Sequence, residues 1–294
     1  MPTFENRVFK KLSSRLIDEG WIAKSQAIPD FVYHYTNASG LVGLLNTKCL
    51  WLTDYRFMND AAEVSLGTER ARAMLKDKIY KENDGLRKKF LSTCEKQLRE
   101  DGTSFVFSLT EKKDDLSQWR GYANEGRGFS VGFDTKSIRD HSAISNEYSF
   151  GKISYNGSLH DKQCNKAVDE FLREYSSKTD LKQIDTDDGA YELSAVLDSY
   201  AAKYKHSSFS SEKEWRLHSY SDDNSEIKVR VSDDKLIPYI EMDISSDSAN
   251  FPIRQIGIGP GFKSQESAFA VERLCAQYGI DVEVYFADSP YRSL

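Results

Sequence analysis

Short stretches that alternate one residue at a time recur along this chain, and two long blocks with helical spacing interrupt them. That pairing of patterns constrains the fold more than any single motif. The clearest alternation is Phe31-Val32-Tyr33-His34-Tyr35-Thr36. In a strand, Phe31, Tyr33 and Tyr35 take one face, and Val32, His34 and Thr36 the other. Further strands are expected at 50–53, 103–109, 128–134, 151–156, 214–220, 236–244, 254–259 and 281–287. Helical spacing covers 4–20, ended by Gly20, then about 60–100, 159–206 and 264–279. The spacing predicts an α+β fold. One domain spans 1–294, with an N-terminal helix in 1–28. The 31–294 core carries helical insertions near 60–100 and 159–206.

Composition narrows the function. The net charge is −6 and no half of the chain is strongly basic, which argues against non-specific attraction to nucleic acid. No apolar run is long enough to span a bilayer and no secretory leader is visible, so no membrane partner is expected. Cys49, Cys94, Cys164 and Cys275 lie far apart with no CxxC pair, which points to reduced thiols and a cytoplasmic location. No histidine pair has metal spacing, so no metal site is expected.

Several clusters carry two readings each. Asn59, Asp60 and Glu63 could hold a ribose or a metal, or Asp60 and Glu63 could form a capping box. Trp119 and Tyr122 form an aromatic wall for a flat ring, with Gln118 on the Tyr122 face of a helical turn, or are simply core. The small residues Gly128, Ser130 and Gly132 share one strand face and leave room for something to lie against it. Gly257 to Ser264 could cradle a phosphate, but reads better as a strand-to-helix turn. Glu214 and Arg216 share a strand face. They mark a solvated edge, or an ionised carboxylate in a cleft with Arg216 beside a phosphate.

The order of "YHYT", "LWLT" with "MNDAAE", "FSLT" with "SQWRGYA" and "GFSVGF", "EKEWR" and "SPYR" resembles the bacterial and phage family catalogued as domain of unknown function 2971. A weaker resemblance is to the ADP-ribosyltransferase superfamily: a strand ending in His-x-Thr, a following helix and Leu-Trp-Leu strand, and a late strand-borne glutamate. That resemblance implies a split, mixed or antiparallel sheet around a cleft, with NAD as substrate. It implies His34 and Glu214 as catalytic, with Tyr55 or Trp51 in the middle position. His34 and Thr36 would face the nucleotide, braced by Tyr33 and Tyr35. Asn59, Asp60, Gln118, Trp119, Tyr122 and Arg216 complete the expected binding set. The acceptor is a macromolecule, protein or nucleic acid, and the family's setting suggests phage defence or a toxin system. Two other readings stay open: a non-catalytic nucleotide-binding module serving a regulatory partner protein, and a metal-dependent nuclease using Asp60, Glu63 and Glu214. Glu214→Gln is expected to lower kcat by about a hundredfold or more while hardly moving the melting temperature.

Overall fold

The computed structural model describes residues 6–21, 27–58, 61–98, 104–145, 148–179, 186–221, 225–232, 235–245 and 251–290. In chain order the first elements are α1 (Asn6–Trp21), β1 (Phe31–Thr36), α2 (Ala38–Thr47), β2 (Cys49–Asp54), α3 (Ala61–Lys81), α4 (Gly85–Gln97), β3 (Ser104–Thr110) and α5 (Leu116–Tyr122). Then come β4 (Phe129–Asp134), α6 (Thr135–Ser145), β5 (Tyr148–Lys152), α7 (Gly157–Thr179), α8 (Thr186–Ala202) and β6 (Glu214–Tyr220). The chain ends with β7 (Lys228–Ser232), β8 (Lys235–Asp243), β9 (Ile253–Ile258), α9 (Gln265–Gln277) and β10 (Glu283–Phe286). It divides into two compact units, 1–25 with 55–104 and 151–210, and 26–54 with 105–150 and 211–294.

The first unit is built from α1, α3, α4, α7 and α8, with α8 packed against the other four. Its core includes Leu75, Phe90, Phe171, Leu193 and Leu197. At Gly67 of α3 a Cβ would lie 2.7 Å from the Ala201 Cα, so only glycine allows this approach. Lys203 donates to the backbone carbonyls of Gly20 and Trp21 at the end of α1, where a cation complements the helix dipole.

The second unit holds a mixed sheet in the order β10-β9-β4-β1-β3-β2-β8-β7, with β6 paired to β3 and β5. Only β10 on β9 is parallel among the registered pairs. Strand β3 is where the sheet branches. Phe105 and Val106 face Asp54 and Thr53 of β2, while Thr110 faces Tyr33 of β1. The main core takes Val32, Leu50, Leu52, Phe105, Phe107, Leu109, Val131 and Phe133, with Leu41, Leu44 and Leu45 of α2 packed among them.

Two local expectations change, on β4 and at 151–156, and β1 divides its faces between two clusters. The aromatic face of β1 does not meet the main core. Tyr33 and Tyr35 pack with Trp119, Ala123 and Ala287 in a smaller cluster, and it is Val32 on the other face that joins the large one. The small-residue face of β4 is filled by the chain's own tyrosines. A Cβ on Gly132 would meet the Tyr33 ring at 2.9 Å, and one on the neighbouring Gly257 would meet Tyr285 at 2.5 Å. The strand expected at 151–156 lies earlier, at Tyr148–Lys152. The 257–264 segment is a turn, as its sequence suggests. Its amides at Gly259 and Gly261 donate to the carbonyls of Gly128 and Gly126, so they are not turned to a phosphate.

Candidate functional site

Strands β1, β3 and β6 bring His34 and Glu214 to the same residue. The His34 Nδ1 lies 2.9 Å from the Ser108 carbonyl oxygen. A carbonyl only accepts, so Nδ1 carries the proton and Nε2 is the lone-pair nitrogen. The ring stacks on Phe107 with centroids 4.2 Å apart. Burial holds the His34 pKa down to about 4; the Ser108 carbonyl opposes this and the Arg230 charge adds to it. His34 is therefore neutral at physiological pH.

The Ser108 hydroxyl donates to Glu214 Oε1 at 2.8 Å. The same oxygen takes Arg216 Nε at 2.5 Å, and Oε2 takes Nη2 at 3.1 Å. Glu214 and Arg216 are only 4% and 1% exposed, so this is a buried, two-point ion pair. Alternation along β6 produces it. Glu214, Arg216 and His218 share one face, and Trp215 and Leu217 on the other enter the core. His218 is likewise pushed down to about 4, by burial first and the Arg216 charge second. The guanidinium expected beside a phosphate is thus held on Glu214.

Thr36 follows His34 on the same face of β1, and Gly40 is needed beside it, since a Cβ there would lie 2.1 Å from the Thr36 Oγ1. Tyr35 is on the opposite face. Its hydroxyl donates to the Lys112 carbonyl at 3.0 Å and accepts from the Asp115 amide at 3.2 Å. Burial raises its pKa. Trp119 is fully buried edge-on to Tyr35 and donates to Asp114 at 2.6 Å, so it serves as core rather than as an open wall. Gln118 is buried on α5, and Tyr122 is exposed, with its hydroxyl 3.5 Å from Glu212 Oε1. Trp51 tilts against Tyr239 at 5.2 Å. Tyr55 is buried in a short helical turn of the helical unit. Asn59, Asp60 and the proposed capping box lie outside the described residues.

Sequence reading missed two residues. Ser108 gives no signal until β6 is known to lie beside β3. Arg230 sits on β7, whose Lys-Val-Arg-Val-Ser alternation was the available clue. Among the described residues no three His, Cys, Asp or Glu side chains group so as to hold a metal, and no helix is long and apolar enough to cross a membrane.

The arrangement defines a class first: a neutral histidine and an ion-paired glutamate joined through one serine on a branched mixed sheet. A family model described as a protein of unknown function, DUF2971, matches residues 118–217 and bears out the first resemblance over that stretch. The matched segment carries Gln118, Tyr122, Glu214 and Arg216 but not His34 or Ser108. No curated protein and no solved structure matches the chain.

Proposed function

We propose that the protein is an NAD-dependent ADP-ribosyltransferase acting on a macromolecular acceptor, protein or nucleic acid, in phage defence or a toxin system in the cytoplasm. The observation that carries this reading is Ser108. Its carbonyl orients His34 and its hydroxyl holds Glu214, so the two groups that such chemistry needs share one anchor. In this reading the His34 Nε2 accepts a hydrogen bond from a ribose hydroxyl. The nicotinamide–ribose bond breaks with its electron pair leaving on nicotinamide. The Glu214 charge, kept ionised by Arg216, stabilises the sugar cation that develops. The acceptor then bonds to the anomeric carbon and gives up its proton.

A second reading has its own support. Both Glu214 oxygens are already engaged within the chain, which suits a module that binds nucleotide without cleaving it. Incubation with adenylate-labelled NAD and bacterial lysate separates the two. The transferase releases nicotinamide and labels a protein or nucleic-acid fraction. A module that binds NAD and releases none sustains the second reading instead, and absence of NAD binding overturns both.

A further inference from the structure

Strands β2, β8 and β7 present a row of side chains that the mechanism above does not use. Thr53 of β2 and Lys228 of β7 both lie opposite Tyr239 of β8, and directly opposed residues share a face. Two residues along on that face come Trp51 of β2 and Arg230 of β7. The Arg230 guanidinium carbon is 5.6 Å from the Trp51 ring centre and 5.3 Å from that of Tyr239. Its Nη2 donates to the Thr53 hydroxyl at 2.7 Å.

Two donors remain. Arg230 Nη1 and the indole Nε1 of Trp51 are both buried without a hydrogen-bond partner among the described residues. Neither group can accept, so an acceptor is what the site lacks. The carboxylate on the same face, Glu241, is held by Lys228 at 2.6 Å. The Arg230 pKa is lowered by burial and only partly restored by Tyr239. A half-buried guanidinium with one nitrogen buried and unsatisfied is costly, and native structures rarely keep such a donor without a use. Its charge also acts on His34, lowering that ring's pKa in the same direction as burial.

We propose that Arg230 and Trp51 form an anion subsite that takes a phosphate or diphosphate group. Resting on the transferase reading, the group is the diphosphate of the dinucleotide, held while its ribose meets His34. Arg216, spent on Glu214, leaves this role to Arg230. An aromatic pair around a guanidinium fixes its plane and strengthens its hydrogen bonds to a phosphate.

The test is calorimetric titration of the full chain with inorganic pyrophosphate, ADP-ribose and adenosine. ADP-ribose is expected to bind at least about tenfold more tightly than adenosine, and pyrophosphate to compete with it. Arg230→Met should remove that advantage and Trp51→Phe, which keeps the ring but deletes the N–H, should weaken it several-fold. Unchanged ADP-ribose affinity in Arg230→Met overturns the subsite. So does a wild type that binds neither ADP-ribose nor pyrophosphate. If Arg230→Met fails to fold, unchanged affinity in Trp51→Phe overturns it. A protein that binds ADP-ribose through Arg230 but never releases nicotinamide loses the transferase reading and keeps the subsite. One that releases nicotinamide while Arg230→Met binds normally does the reverse.

Discussion

Glu214 is held so tightly by Arg216 that its chemistry and its contribution to stability are entangled. Alternation along β6 was enough to put the two on one face. It could not say that the face is buried, since charged residues at that spacing more often mark a solvated edge. Burial reverses one expectation. Glu214→Gln leaves the Arg216 guanidinium without its carboxylate, and breaking a buried pair from one side costs about 3–5 kcal/mol. The variant should melt clearly below the wild type as well as losing about a hundredfold in nicotinamide release. The double variant Glu214→Gln with Arg216→Met separates the effects. It removes both charges, so it should melt closer to the wild type than Glu214→Gln alone while staying inactive. Restored activity in the double variant would sink the catalytic role of Glu214. His34 was legible as the one ionisable imidazole on a strand that is otherwise aromatic, apolar or hydroxyl-bearing. Ser108, which links the two, was not, because a serine in a strand acquires its role only from the strand beside it.

At the scale of elements, β1, β2, β3, β4, β6, β8 and β9 were legible because each alternates strongly over several residues. Strand β7 was not. Its valines, Val229 and Val231, are 57% and 71% exposed, and its other row, Lys228, Arg230 and Ser232, is polar, so the usual inside-outside contrast is missing. Arg230 was lost with it. The placement of α2 over β2 was also hidden, because it depends on one missing side chain. A Cβ on Gly43 would lie 2.1 Å from the Trp51 Cη2. Gly43→Ala must therefore displace the indole, and overpacking of this kind costs roughly 1–3 kcal/mol. The expected result is a lower melting temperature together with weaker ADP-ribose binding, since the Trp51 N–H moves away from Arg230. A variant that melts and binds like the wild type would show that the indole has another place to go.

Over the whole molecule, acid sensitivity follows from buried histidines, of which His34 and His218 are shifted furthest and His160 is lowered in the same direction. His34 and His218 are both lowered from 6.5 to about 4, chiefly by burial. Unfolded, each takes up a proton near its ordinary pKa; folded, each waits until the pH is far lower. Between those limits the unfolded state binds more protons, so falling pH favours unfolding. Stability from this source is complete above about pH 6.5 and is lost as the pH drops toward 4. Melting temperature should decline as the pH falls from 7 toward 5, with His34 and His218 together contributing a proton uptake on unfolding that approaches about two near pH 5. His218→Leu, which deletes one titrating group from a buried position, should lower that uptake by about one. The same ring that makes the fold acid-sensitive should leave the chemistry level: His34 stays neutral down to about pH 4, so nicotinamide release by the folded protein should show no histidine-like transition near pH 6.5. A step in rate at that pH, without a matching step in unfolding, would mean that His34 titrates as an exposed histidine and is not held by Ser108 as the structure places it.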